Sequence, residues 1–588
     1  MADRPEPREE LVLRGIAGSS GVAHGPAFVF LQSELDIPAY EVGADQSASE
    51  IARLEAGLLQ TRQQISKIRH EIAAKLGEAE AQIFDAHQLV LEDKALIDEV
   101  IHEQKTTQFN IEYCFHQVAL RYIEFFDSMD DEYLKERVAD IRDVARRLLQ
   151  NLLGQQEHGI LKLSEGKIMV AQELSPSETV GMDRDKLLGF ITESGGSTSH
   201  AVIMARSLQI PAVVGVHGAT EEIDTQDHLL IDGYDGLVYI NPSEQTLFRY
   251  GKIERRRKSL RDRYYTSVGK PSETPDKRSI VLRANIDGVH DLEWVKQVKA
   301  KGVGLFRTET LFLRENDFPD EEVQFKEYKG VVESLAPDEV VIRTLDLGGD
   351  KILKGRFEMD EGNPFMGFRA IRFCLQHPEI FKDQLRAILR ASVFGNVRVM
   401  YPMISGRAEL EQADALLEEA KEELRERGQD FDDTIQTGSM IEIPSAAMVS
   451  DMLAEHCGFF SIGTNDLIQY MLAADRMNDR IAHLFDASHP AVLRAIQGVI
   501  DSGKRRGIPV SICGEMASDP RYTAILLGMG ADELSVAAPS LPEINFLVRM
   551  IEQKAATALA EEALRMDDPL AITELLSSYH KALLAELE

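Results

Sequence analysis

Cysteine is scarce in this chain and never paired in sequence. Cys114, Cys374, Cys457 and Cys513 stand far apart with no CxxC spacing. That argues against a disulfide framework and a thiolate zinc site, and fits a reducing compartment. Long apolar runs are missing too. No stretch approaches the roughly 20 apolar residues a membrane helix needs, so no membrane insertion is expected. The opening residues, MADRPEPREELVLRG, carry charge where a secretory signal has an apolar core, which points to a cytoplasmic protein. Positive charge is the third scarcity: 65 lysines and arginines face 98 aspartates and glutamates, a net charge of −33. Such a surface repels nucleic acid and steers a basic partner towards it, more strongly at low salt. It also serves plain solubility, and the charge sum does not separate the two.

What is present is a long chain of ordinary globular composition. Its 588 residues are 44% hydrophobic and 28% charged, too many for one ordinary core. Residues 12–33 are rich in glycine and short apolar runs, a strand-and-turn texture. In 34–155, Ile51, Leu54, Leu58, Ile65, Ile68 and Ile72 recur at helical spacing, proline is nearly absent, and a helical bundle is expected. Strand texture returns over 156–243, interrupted by one helix near His200–Leu208. The simplest inference joins 12–33 and 156–243 into one α/β domain with the helical region inserted. Residues 244–274 read as a polar helical linker, a solvated helix rather than a nucleic-acid site.

From 275 to 588 apolar β-branched runs alternate with longer helical stretches. SIVLRANID, GVGLFRTE, EVVIRTLDLGG, NVRVMYPMI, TGSMIEIP, FFSIGTND, PVSICGEM and ELSVAAP make eight candidate strands, the pattern of a (β/α)8 TIM barrel. Active sites of such barrels sit at the carboxyl ends of the strands. There the sequence places Arg307, Arg343, Asp346, Lys351, Glu442, Asn465, Asp466 and Cys513, with Arg476 soon after. Guanidinium forks match phosphate and carboxylate oxygens, and two carboxylates hold Mg²⁺ with positions left for substrate. Together they describe a pocket for a small anion that carries a phosphoryl group. Singly, each has a duller role: Arg307 with Glu309 as a surface pair, Glu442 as a cap before Pro444, Cys513 as a small buried hydrophobe.

A second site is legible in ITESGGSTSHAVIMARSLQIPAVVG, where one histidine, His200, joins a Gly/Ser/Thr turn to a helix. Close backbone approach and the positive helix end favour an anion there, and imidazole is nucleophilic at neutral pH. The alternative is a histidine that merely begins a helix. Two phosphoryl sites on separate domains imply a swivelling motion, for which the linker is the candidate hinge.

Taken in order, GGSTSHAVIMARSLQIPAVVG, GVGLFRTE, RTLDLGGDK, NPFMGFRAIR, MIEIPSA, FFSIGTNDLIQYMLAADRMN and CGEMA resemble the Enzyme I family of the bacterial sugar phosphotransferase system, over almost the whole chain. The resemblance implies that His200 takes a phosphoryl group from phosphoenolpyruvate and passes it to the carrier HPr, with pyruvate released. It implies Thr179 and Arg206 around His200, Arg307, Arg343, Lys351, Arg369, Asn465 and Arg476 around substrate, and Glu442 and Asp466 on Mg²⁺. It implies Cys513 as the proton donor to the enolate, HPr docking on the helical insert, and a homodimer through the barrel. Ser197 stands where the family usually has a basic residue, and Thr310 and Ser439 where it more often has apolar ones. Pyruvate–phosphate dikinases and phosphoenolpyruvate synthases share the histidine domain and barrel but add a large ATP-binding domain with no counterpart here. Two other readings remain at this point: a nitrogen-related paralogue serving an HPr-like carrier, and a non-catalytic docking regulator.

Overall fold

The computed structural model describes residues 10–30, 35–75, 83–127, 132–154, 166–174, 186–196, 200–208, 210–225, 227–314, 318–347, 366–476, 481–585 and 587. The chain divides into two compact units, Met1–Arg257 and Lys258–Glu588. The division falls inside the helix Glu244–Tyr265, within the stretch read as a linker.

The first unit is built on an eight-stranded sheet of order β1-β8-β7-β3-β4-β5-β6-β2. Its strands are β1 (Leu11–Arg14), β2 (Ile16–Ser19), β3 (Val22–Phe30), β4 (Lys167–Ala171), β5 (Leu187–Thr192), β6 (Ala212–Val214), β7 (His228–Asp232) and β8 (Leu237–Ile240). β3 and β4 pair in parallel although the helical region lies between them in sequence, so the helices are an insertion into one sheet. Period-two alternation gives the sheet two apolar faces. Ile168, Val170 and Val213 point to one. Met169, Ala171, Ala212 and Val214 point to the other, where Ala201, Val202 and Ala205 of the helix His200–Leu208 cover them. That packing fixes the helix whose first residue is His200. The texture reading allowed one helix here; the structure adds the single turn Ala219–Glu222, too short to show a period.

The insert holds helices Ser47–Lys75, Ile83–Leu91, Lys94–Thr107, Ile111–Asp127 and Glu132–Leu152. Asp93 ends one periodic run and begins the next, accepting the N–H groups of Ala95 (2.8 Å) and Leu96 (3.3 Å) as an N-cap. Arg53 bridges Glu50 and Glu112, and Glu50 accepts the Ile111 N–H at 2.8 Å. Leu54, Leu96, Phe115, Val118 and Leu148 fill the core between them.

In the second unit β9 (Val281–Ile286), β10 (Val303–Arg307), β11 (Val340–Arg343), β12 (Val397–Tyr401), β13 (Gln436–Ile441), β14 (Phe459–Gly463), β15 (Val510–Cys513) and β16 (Glu533–Ala537) close a barrel in which every pairing is parallel. All eight lie where the strand texture placed them. Leu305, Val341, Met400, Met440, Phe459 and Cys513, one from each of six neighbouring strands, form one buried cluster; the intervening residues join the cluster shared with the surrounding helices. Near the amino-terminal strand ends, Arg283 pairs with Glu339 and with Glu533 (3.3 Å), and Arg398 with Glu339 (2.9 Å), so these buried charges compensate one another. Among the described residues no helix is long and apolar enough to cross a membrane.

Candidate active site

The charged residues gather at the carboxyl end of the barrel. Arg343 ends β11 with its side chain 10% exposed, bound to Glu309 and to Asp346, each at 3.0 Å. Arg369 reaches the same Asp346 through Nη2 (2.8 Å) and Nε (3.1 Å), and lies 3.8 Å from Asp466 and 3.3 Å from the Tyr470 hydroxyl. Burial disfavours the charge on Arg343, but Glu309, Asp346, Glu442 and Asp466 outweigh it and hold its pKa above the ordinary value. The same holds for Arg369, through Asp346 and Asp466.

Glu442 follows the last residue of β13 and is 1% exposed. Its Oε1 accepts the Met403 N–H at 2.6 Å. Burial, then Asp466 and Asp346, push its pKa well above the usual carboxylate range, while Arg343 and Arg369 pull the other way. Gly463 lets it fit: a Cβ there would stand 2.8 Å from Glu442 Oε2. Asn465 and Asp466 are not strand residues, as the sequence reading had them. They lie in the first turn of the helix Thr464–Leu472, because β14 ends at Gly463.

Cys513 ends β15 and is 1% exposed. Its sulfur accepts from the Ser461 hydroxyl (3.2 Å) and donates to the Ile462 carbonyl (3.5 Å). Burial pushes the thiol up to about 11, so it keeps its proton at neutral pH. Gly514 turns the chain at φ 104°, a left-handed value that favours glycine, and Glu515 then exchanges hydrogen bonds with Asn465 (3.0 and 3.2 Å). Arg476 Nη1 lies 3.8 Å from Glu515.

Arg307 ends β10 and is more exposed, 3.7 Å from Asp287. The sequence offered a pairing of Arg307 with Glu309; Glu309 instead binds Arg343. Glu309 and Tyr470 were not singled out for the site, and Asp346 was noted without a role. Acidic residues at a strand end are the local signal for the first and last of these. Nothing local announces Tyr470, which reaches Arg369 across a separation of 101 residues. Lys351 lies outside the described residues.

In the first unit His200 opens its helix after Gly195, at φ 105°, and Gly196. Arg206 donates from Nε to the Gly18 carbonyl at 2.8 Å. Thr179, Ser197 and the side chain of His200 lie outside the described residues.

Three family models match in chain order: the N-terminal domain of PEP-utilising enzymes over residues 14–137, their mobile domain over 163–236, and their PEP-binding domain over 261–553. Among curated relatives, the phosphoenolpyruvate-protein phosphotransferase of Listeria monocytogenes is 42% identical over 96% of this chain and 99% of its own length. That of Geobacillus stearothermophilus is 43% identical over 95% and 96%. That of Bacillus subtilis is 40% identical over 94% and 97%.

Proposed function

This chain belongs to the phosphoenolpyruvate-protein phosphotransferase family, and on that premise we propose that its barrel binds phosphoenolpyruvate and its His200 receives the phosphoryl group. One observation carries the reading: Arg343, Arg369, Glu442 and Asp466 converge at one end of a barrel, two forks for anionic oxygens beside two carboxylates, and with Glu309 and Asp346 paired to the arginines the carboxylates outnumber them.

Arg343 and Arg369, with Arg307, Arg476, Asn465 and Lys351, hold the substrate's phosphate and carboxylate by charge-assisted hydrogen bonds. Glu442 and Asp466 fit Mg²⁺: the buried Glu442 and the part-buried Asp466 repel one another, and a divalent cation would relieve them. Two carboxylates leave positions in a Mg²⁺ shell for water and substrate oxygens. Bound there, Mg²⁺ supplies positive charge to the phosphoryl group. The imidazole lone pair of His200 attacks phosphorus, the N–P bond forms, and the bridging P–O bond breaks to leave the enolate of pyruvate. The Cys513 thiol gives its proton to carbon three and recovers one from water, so pyruvate departs and phosphohistidine remains. The resemblance assigns Thr179 and Arg206 to that histidine's phosphoryl group.

The phosphoryl group then passes to a histidine of a small basic carrier of the HPr type, docked on the helical insert and drawn by the acidic surface. Reaching both partners requires the two units to swivel about the linker. A homodimer through the barrel is what the resemblance to the family implies. The compartment is read as the cytoplasm.

The test is incubation of the full chain with radiolabelled phosphoenolpyruvate and Mg²⁺, with and without a purified carrier. Acid-labile, base-stable label is expected, and none on a folded His200→Ala variant. Label persisting on that variant means the acceptor is misassigned.

A further inference from the structure

Residues 344–347 follow Arg343, bear Asp346 and form no regular secondary structure. Much of their backbone is held by side chains. Leu345 N–H donates to Gln384 Oε1 (2.8 Å), Asp346 N–H to Glu309 Oε1 (3.0 Å), and Thr308 Oγ1 to the Arg343 carbonyl (3.0 Å). The Leu345 contact requires the oxygen of Gln384, which leaves its amide N–H groups for Thr308 Oγ1 (3.2 Å) and the Tyr328 hydroxyl (3.1 Å). Tyr328 donates onward to Gln324 Oε1 (3.0 Å), and Gln324 Nε2 to the Pro319 carbonyl (2.8 Å). Thr308, Tyr328 and Gln324 are fully buried and Gln384 is 1% exposed.

This is a neutral hydrogen-bonded chain running from two outer helices, Glu321–Leu335 and Pro378–Ala391, to the segment that bears the arginine-binding carboxylate. Its donors and acceptors match in one register, and in a dry interior each is costly to leave unpaired. Gln384 is the branch point: one side chain meets the loop, the β10 end and the next helix.

We propose that Gln384 is a positioning residue for the barrel reaction. It fixes the backbone of 343–347, and so aims Asp346 and the guanidinium groups of Arg343 and Arg369 at the anionic groups of the substrate. Small misplacements of such groups are expensive because the reaction depends on preformed geometry. The inference rests on the assignment of those two arginines as substrate ligands.

The test compares Gln384→Met, Gln384→Glu, Thr308→Val and Arg343→Ala in the full chain, by phosphorylation rate against phosphoenolpyruvate concentration and by thermal melting. Gln384→Met is expected to raise KM about tenfold, the value of one buried hydrogen bond lost near substrate. Gln384→Glu, held protonated by burial, accepts from Leu345 and gives its one proton to Thr308 Oγ1 or the Tyr328 hydroxyl, so both hydroxyls keep donating to the Arg343 carbonyl and Gln324. It should return KM to within about threefold of the parent. Wild-type KM in Gln384→Met, whatever its melting temperature, overturns the proposal; so does equal loss in Met and Glu, which would mean packing alone. If neither position-384 variant folds, Thr308→Val decides: a raised KM supports the chain and an unchanged one overturns it. Arg343→Ala with unchanged KM sinks the ligand assignment itself. A raised KM there with no effect at 384 sinks only the positioning role.

Discussion

Replacing Cys513 by alanine tests the proton-donor assignment through stability and chemistry together. The thiol is pushed from its ordinary 9.0 to about 11, first by burial and with Glu442 adding to it, while the Ser461 hydroxyl partly opposes the rise. At pH 8 only about one molecule in a thousand then carries thiolate, so alkylation by iodoacetamide should run about 100-fold slower than at an exposed cysteine. The shift is also a stability statement. Below pH 9 folded and unfolded chains both hold the proton and the contribution is whole. Between pH 9 and about 11 the unfolded thiol ionises and the buried one does not, so stability falls as pH rises, by up to about 1.4 kcal/mol per pH unit and about 3 kcal/mol in all. Alanine removes that dependence. At neutral pH it loses the contacts to Ser461 and Ile462, at a cost of about 1–2 kcal/mol. Denaturant unfolding of parent and variant at pH 8 and 10.5 isolates the difference, because other buried thiols such as Cys457, pushed up to about 12, are common to both. Pyruvate release, followed with a coupled dehydrogenase, should fall about 100-fold or more if the thiol is the general acid. Parallel alkaline slopes would refute the pKa argument, and undiminished pyruvate release would refute the role.

Glu442→Ala should raise the Mg²⁺ concentration needed for half-maximal phosphorylation about tenfold or more, since one of two carboxylates is gone; an unchanged magnesium curve would remove Glu442 from the ligand set. Arg386→Ala should cost about 1–3 kcal/mol in unfolding free energy, because Glu321, Asp383 and Glu423 lose a shared partner while Glu321 keeps Arg390 and Glu423 keeps Lys382. A melting temperature equal to the parent's would show the network to be idle. Asp93→Ala should cost about 1 kcal/mol through the lost N-cap of the helix Lys94–Thr107, with phosphoenolpyruvate KM unaltered; amide exchange confined to that helix end is the readout.

The eight barrel strands were legible because strands buried on both faces read as apolar β-branched runs, whatever their neighbours. The helical insert was legible for the same local reason, a period of 3.6 residues on one face. The site was legible as residue types at strand ends: Arg307, Arg343, Glu442 and Cys513 each end a strand or immediately follow one. Asn465 and Asp466 were displaced by a turn, since nothing local says that β14 stops at Gly463.

Partnership was a different matter. Sequence neighbours suggested Arg307 with Glu309, yet Glu309 meets Arg343, and Arg369 meets Tyr470. Gln384 is one polar residue on the helix Pro378–Ala391; only closure of the barrel sets it against Thr308 and Leu345, 76 and 39 residues away. By itself the sequence determined element type, chain order and the chemical inventory of the site, because periodicity and residue chemistry act over a few positions. Which charges neutralise one another, and which neutral groups aim them, was decided by the tertiary structure, because burial compels a partner for every polar atom and the partner is whatever the fold brings within 3 Å.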